Sequence, residues 1–303
     1  MLIFDILVYL VKILITIITQ SNRFLQCNFL LLQMMNIDTF FELFLKELQD
    51  APNMRGYYKF LNNKSSFEFR KAYFLQRLEY IANRITDKNA AIWDCGCGYG
   101  TTALFLAMNG FRVYGTTLEF YFDEIEKRKN YWKQFGDVDL FEIDYANVFD
   151  QKIKENCFDY IILQDTLHHI EPLQDALRIF RNVLKPNGQL IVNEENGNNI
   201  FENLKLFKQR GNKKIITIWD ERLQKRIPFG NENIRSWKKW KQAFVKECFT
   251  NIAEKPEYFR FYFPFSYHGR TAAEMIAKEN IIKNKKWIRE YFFFGISFSI
   301  KKY

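Results

Sequence analysis

The stretch "WDCGCGYG", residues 93–100, sets one carboxylate, Asp94, beside three alternate glycines at the end of a short apolar run. Glycine enters positive φ at no steric cost and lets a ligand approach the main chain closely. The run leading in, "AAIWDCG", is strand-like, and "TTALFLAMNG", which follows, is helix-like. The first amides of that helix favour a carboxylate or another anion at the same place. A dinucleotide fingerprint needs a glycine at position 101, where this chain has Thr101, and a phosphate loop needs Gly-Lys-Ser/Thr, which the chain lacks. An ordinary tight strand-to-helix turn is the plain alternative.

Beyond the loop the pattern keeps alternating. "RVYGTTLE" passes to "YFDEIEKRKNYWKQFG", and "VDLFEIDY" is followed by "CFDYIILQD". The helix "PLQDALRIFRNVLKPNG" then leads to "QLIVNEE". Short strands separated by helices of ten or more residues predict a parallel sheet covered on both faces. Lys185-Pro186-Asn187-Gly188 reads as a helix stop and turn before the fifth strand. Residues 36–89 read as a helical cap, two helices around the "PNMRGYYKFLNNKSS" loop, with the main domain over 90–303. Residues of about 200–247 read as a basic helical insertion after the fifth strand. "IAEKPEYFRFYF" resembles a strand, "AAEMIAKENIIKNKKWIREY" a helix, and "FFFGISFSI" a closing strand.

Charge is unevenly spread. Residues 1–200 hold 21 Lys/Arg against 25 Asp/Glu, and residues 201–303 hold 23 against 10. Such a basic third suits an anionic acceptor, nucleic acid or lipid headgroups, although an AT-rich coding sequence raises Lys, Asn, Ile, Phe and Tyr together. Five scattered cysteines and three histidines, none in a paired ligand spacing, predict no disulfide framework and no metal site. A reducing, cytoplasmic location follows. Residues 1–35 form a hydrophobic extension, but Asp5 and Lys12 interrupt its apolar run. A mis-called start, with translation from Met34 or Met35, or a loose helix is preferred to a membrane anchor. Membrane association is expected only if residues 1–20 are real.

"DCGCGYG", "FDYIILQDTLHHI" and "LKPNGQLIVNE", in this order and spacing over residues 90–195, resemble the class I S-adenosylmethionine-dependent methyltransferases. The resemblance implies an α/β, Rossmann-like, seven-stranded and mostly parallel sheet whose last strand is antiparallel. It implies S-adenosyl-L-methionine as cofactor, with Asp94 and the loop of Gly96, Cys97, Gly98 and Gly100 holding the methionine portion. Asp144 occupies the position that meets the adenine amino group, with Tyr145 beside the ring, and Gln164 lies next to the sulfonium. The family's ribose-binding acid is replaced by Thr117, and Glu119, two residues on, shares its strand face and is the alternative.

A methyl acceptor with a hydroxyl also needs a base. His168 is the first candidate; His169 matches the family's commoner, often structural, histidine. Glu194 and Glu195, after the fifth strand, are alternatives, with a plain polar loop as the competing reading. Asn196, Asn198 and Asn199 are either acceptor contacts or turn residues. Arg55, Tyr57 and Tyr58 form either a lid or a simple connection. Trp237 and Trp240 are three apart and read as core rather than base-stacking residues. The expected activity is methyl transfer to a small-molecule or glycan hydroxyl. The competing readings are an RNA methyltransferase, a membrane lipid or quinone methyltransferase, and a non-catalytic cofactor-binding protein.

Overall fold

Each apolar run that alternates with a helical pattern becomes a parallel strand. The structure is a computed structural model that describes residues 35–118, 121–250, 252 and 255–302. The hydrophobic extension over residues 1–34 and the ribose candidate Glu119 lie outside the described residues. Strands β1 (Ala91–Cys95), β2 (Arg112–Thr117), β3 (Phe141–Tyr145), β4 (Phe158–Gln164) and β5 (Leu184–Glu195) join β8 (Glu257–Phe259) and β9 (Gly295–Lys301) in one sheet. The order is β3-β2-β1-β4-β5-β9-β8. The pairs among β1 to β5 are parallel, and β9 runs antiparallel to β5, as the family resemblance implies.

Consecutive residues of β1 serve opposite faces, the period-2 consequence of a pleated strand. Ile92 enters the core beneath α1 (Ile37–Glu47), α3 (Phe67–Ala82), α4 (Thr101–Met108) and α5 (Tyr121–Trp132). Trp93 and Cys95 enter the other core, beneath α6 (Leu173–Val183) and α8 (Trp237–Lys246). Helix α6 presents Leu173, Ala176, Leu177, Phe180 and Val183 to that core, the three-and-four spacing of one helical face. Helix α4 is buried almost all round, so its sequence shows no polar side. Trp240 is fully buried beneath Arg235 and Trp237 packs partly against the same core, so core packing explains both.

Three expectations need correction. The cap holds a third helix, α2 (Pro52–Tyr58), inside the segment read as a loop; proline at its start is compatible with a first helical turn. Lys185–Gly188 does not separate α6 from β5. It forms a bulge within that strand, between the pairs Phe158–Leu184 and Tyr160–Gln189, with Asn187 at φ 64°. The insertion is not wholly helical. Helices α7 (Ile200–Arg210) and α8 flank an antiparallel hairpin of β6 (Ile215–Asp220) and β7 (Lys225–Gly230). β-Branched "IITI" and Pro228 suit an exposed two-stranded ribbon better than a helix interior. Helices α9 (Ala272–Ile282) and α10 (Lys286–Phe292) complete the chain before β9. No helix among the described residues is long and apolar enough to cross a membrane.

Candidate active site

Strand order reverses at β1, which lies between β2 and β4, and a cavity of about 530 Å³ opens at the carboxyl ends of these three strands. Open α/β sheets bind ligands at this point because the connections there diverge to opposite faces. Gly96, Gly98 and Gly100 all have positive φ, and the Gly96 and Cys97 amides bind the Thr116 carbonyl at 2.8 and 2.9 Å. Strand β2 thus ties down the start of the loop. A Cβ built on Gly98 would meet nothing within 4 Å. That glycine lines the cavity and leaves bare main chain facing it.

Asp94 is 2% exposed, and its Oδ2 has no hydrogen-bond partner. Burial lifts its carboxyl to about 7, against a hydrogen bond from the Ala103 amide that lowers it. An unpaired buried carboxylate oxygen is costly, so the site is built for a group that supplies a donor. Cys97, Thr117 and Gln164 also line the cavity, and the Thr102 hydroxyl reaches Gln164 Oε1 at 3.4 Å.

Asp144 and Tyr145 do not line it. Asp144 is exposed and accepts a hydrogen bond from the Tyr114 hydroxyl at 2.8 Å, while the Tyr145 hydroxyl donates to Asp220 at 2.7 Å. The wall beyond β3 is formed instead by Ala146, Asn147, Val148 and Phe149. Asn196 and Asn199 do not line the cavity. The Asn196 amide donates to the Glu290 and Phe293 carbonyls, and Asn199 caps α7 by accepting from the Glu202 amide. Tyr57 and Tyr58 line the cavity whereas Arg55 does not, and Tyr58 shares a 2.6 Å hydrogen bond with Thr101.

The loop after β4 carries His168 and His169. Glu194 is buried and lies behind them. Its Oε1 accepts from the Leu167 amide at 2.7 Å and the His168 amide at 3.3 Å, and its Oε2 is 2.5 Å from His168 Nδ1. Burial pulls the His168 imidazole down, but Glu194, Glu195 and Glu232 outweigh it and raise it to about 9. Burial and the neighbouring His168 lower His169, whose Nδ1 faces the Gly230 carbonyl at 2.7 Å. Glu195, on the same strand as Glu194, lines the cavity with a buried, unpartnered Oε2. Burial pushes its carboxyl up to about 7.

Residues 93–192 match the family model described as "Methyltransferase domain". This segment is similar to a methyltransferase domain. Over 126 residues the chain is 32% identical to the ubiquinone biosynthesis O-methyltransferase of Rickettsia canadensis, covering 40% of this chain and 51% of that one. Over 147 residues it is 29% identical to the ubiquinone/menaquinone biosynthesis C-methyltransferase of Rickettsia akari, covering 47% of this chain and 57% of that one. The chain therefore spans about half the length of these curated relatives. Phosphoethanolamine N-methyltransferase 2 of Haemonchus contortus, solved with S-adenosyl-L-methionine, shares the fold. Its TM-score is 0.51 at 14% identity, over 75% of this chain and 52% of that one.

The site fits the S-adenosyl-L-methionine that the resemblance implies. The orphaned Asp94 oxygen and the open main chain at Gly98 lie in one cavity, whose size is within the usual range of about 300–1,000 Å³ for ligand pockets. Several lining residues escaped the sequence reading. Tyr73 and Arg77 arrive from α3, and Asp165, at φ 50°, takes Arg77 Nη1 at 2.5 Å and the Tyr73 hydroxyl at 3.2 Å. Ile227, Pro228, Phe229 and Glu232 arrive from the hairpin of the insertion and its exit. An unusual backbone angle at Asp165 leaves no mark in sequence, and Glu232 lies in a polar "GNEN" turn with no motif. Among the described residues, no Lys or Arg of the basic insertion lines the cavity. Arg222, Lys225 and Arg235 are paired with Asp123, Asp150 and Glu171.

Proposed function

We propose that the chain transfers the methyl group of S-adenosylmethionine to a hydroxyl of a small, partly apolar acceptor, with Glu195 receiving the hydroxyl proton. One observation carries the reading: a cofactor-sized cradle at Asp94 and Gly98 shares its cavity with the unpartnered carboxylate oxygen of Glu195. When bound, the cofactor supplies an activated methyl on a sulfonium, so that an O–CH₃ bond forms as the S–CH₃ bond breaks and the electron pair stays on sulfur. The protein's part is alignment, which can contribute about 7–11 kcal/mol in well-oriented systems. Asp94 and the Gly96–Gly100 main chain hold the methionine end, and Thr117 at the end of β2 takes the place of the missing ribose acid. Ala146 to Phe149 wall the adenine side, in place of Asp144 and Tyr145. Gln164, which lines the same cavity, would lie next to the sulfonium, as the resemblance implies.

The acceptor end favours a small molecule with an apolar body. Ile227, Pro228 and Phe229 form one wall, and among the described residues no Lys or Arg of the insertion lines the cavity, so that basic charge does not meet a small acceptor bound there. The two O- and C-methyltransferase relatives named above act in quinone biosynthesis by their names, which supports a small ring-bearing acceptor over a glycan. A carboxyl raised to about 7 is matched to accepting a proton near neutral pH. Glu194 holds the His168 loop rather than meeting the acceptor, because both its oxygens are engaged behind the cavity.

Incubating the protein with methyl-labelled S-adenosylmethionine and a fractionated small-molecule extract tests this. Label should appear as a methyl ether in an apolar small-molecule fraction, and the yield should fall with Glu195→Gln. Label recovered solely in RNA, or as a ring-carbon methyl, would overturn the hydroxyl reading.

A further inference from the structure

His169 and Glu232 are 63 positions apart in sequence, yet one donor atom from each of His168, His169 and Glu232 falls within 4.8 Å of the others. All three line the acceptor end of the cavity. We propose that His168, His169 and Glu232 form a binding site for a first-row divalent transition-metal ion that holds the acceptor hydroxyl. The role of the ion rests on the hydroxyl reading above; the existence of the site does not.

The first argument is the orientation of the rings. His169 Nδ1 lies 2.7 Å from the Gly230 carbonyl, which can only accept, so that nitrogen carries the hydrogen and Nε2 keeps its lone pair in the neutral ring. His168 Nδ1 lies 2.5 Å from Glu194 Oε2, leaving its Nε2 to face the Glu232 carboxylate at 3.6 Å. Each imidazole is therefore anchored through one nitrogen by an oxygen behind it. Metal-ligating histidines are held in this way, by a carboxylate or a carbonyl that sets tautomer and ring direction. Glu194 is itself fixed by the Leu167 and His168 amides, so the support extends one layer further.

Charge gives a second, independent argument. Of the acids around this end, Asp165 is paired with Arg77 and Glu171 with Arg235. Glu194, Glu195 and Glu232 have no Lys or Arg ion pair among the described residues, while two imidazole rings stand with centroids 4.0 Å apart. An ion pair between a protonated His168 and the two glutamates leaves the neutral His169 beside it with a lone pair on Nε2 that this pairing does not use. A divalent ion accounts for both rings and for the carboxylate surplus together.

The donor set selects the ion. Calcium and magnesium take oxygen ligands, whereas two imidazoles and one carboxylate suit zinc, iron(II), manganese or cobalt and leave coordination positions open. Metal–nitrogen distances of about 2.0–2.1 Å require the donors to draw inward from their present spacing. Glu232 can do this: its side chain is 40% exposed and it sits at the exit of the hairpin, free of the sheet. The three donors share the cavity lining with Glu195, so a hydroxyl oxygen held by the ion would be polarised in the cavity where Glu195 takes its proton.

The test uses the full, untagged chain, stripped with a chelator and titrated with Co²⁺. One equivalent should bind with the visible absorption of a nitrogen-ligated ion, and Zn²⁺ should displace it. His169→Ala and Glu232→Gln should each weaken binding at least tenfold. Glu194→Gln should weaken it by about 10–100-fold through the support it withdraws from His168. Circular dichroism and S-adenosylmethionine calorimetry on each variant separate loss of the site from loss of the fold. Wild-type protein that takes up no stoichiometric Co²⁺, or folded His169→Ala and Glu232→Gln variants that bind it as the wild type does, overturns the site. Stoichiometric Co²⁺ binding in a protein whose hydroxyl methylation is unchanged by the chelator confirms the site and overturns its role in holding the acceptor.

Discussion

Arg128 and Glu47 are 81 residues apart and form a bidentate, buried ion pair, Nε to Oε1 at 2.8 Å and Nη2 to Oε2 at 2.7 Å. The remaining Arg128 nitrogen donates to the Tyr99 carbonyl at 2.6 Å and the Thr101 hydroxyl at 2.7 Å, and Trp132 Nε1 also donates to Glu47. The first helix of the cap is thereby wired to the glycine loop through one guanidinium. Removing Glu47 leaves that cation buried and uncompensated, which typically costs about 3–5 kcal/mol. Urea unfolding of Glu47→Ala should show such a loss, with weaker cofactor binding in the fraction that stays folded. A loss below about 1 kcal/mol would show that the pair does not brace the loop.

The Asp94 carboxylate, raised to about 7 by burial, should make cofactor affinity depend on pH. Only the ionised form attracts the cofactor's ammonium group. Below pH 7 affinity should therefore fall by up to about tenfold per unit, and above pH 7 it should level off. Calorimetry from pH 5.5 to 8.5 reads this directly. In Asp94→Asn the slope should vanish and affinity should be low throughout.

Stability without cofactor should run the other way. Asp94 and Glu195 both bind their protons more tightly in the folded chain than in the unfolded one, each rising to about 7. The unfolded state loses those protons first, near pH 4, so the folded state becomes less stable as pH rises from about 4 to 7 and then levels with respect to these groups. Burial and the Ala103 amide set the Asp94 value, and His168, Glu202, Asp165 and Glu232 act on Glu195 beside burial. Thermal unfolding should show Asp94→Asn and Glu195→Gln gaining Tm relative to wild type at pH 8 and not at pH 4.5. Equal offsets at both pH values would refute the linkage.

Two glycines of the loop should separate binding from folding. A Cβ at Gly98 points into open cavity at φ 55°, and one at Gly96 lies 2.2 Å from the Thr166 side chain at φ 75°. Left-handed backbone costs an L-residue about 1–2 kcal/mol in either place, and the overpacking at Gly96 adds about 1–3 kcal/mol. Gly98→Ala should thus lose cofactor affinity at least tenfold for a small change in urea midpoint. Gly96→Ala should lose distinctly more stability. Matching stability losses would contradict the cradle.

Sequence alone determined the layered architecture, because strand and helix leave periodic traces and turns leave glycine and proline. The alternation after residue 90, the carboxylate-and-glycine loop and the closing strand were readable in that way, while the antiparallel sense of that strand came from the family resemblance. The hairpin over 215–230 reads as part of a helical insertion because its apolar residues show no strict alternation; β-branched "IITI" and Pro228 are its local traces. Asp144 and Tyr145 stood at family positions, yet Tyr114 and Asp220 hold their side chains elsewhere. Tertiary structure alone decided what meets in the cavity: Arg77 on Asp165, Arg128 on Glu47, and Glu232 beside two adjacent histidines. Those partners lie 63 to 88 residues apart, and contacts closed through the packing of separate elements impose no local period for a sequence to show.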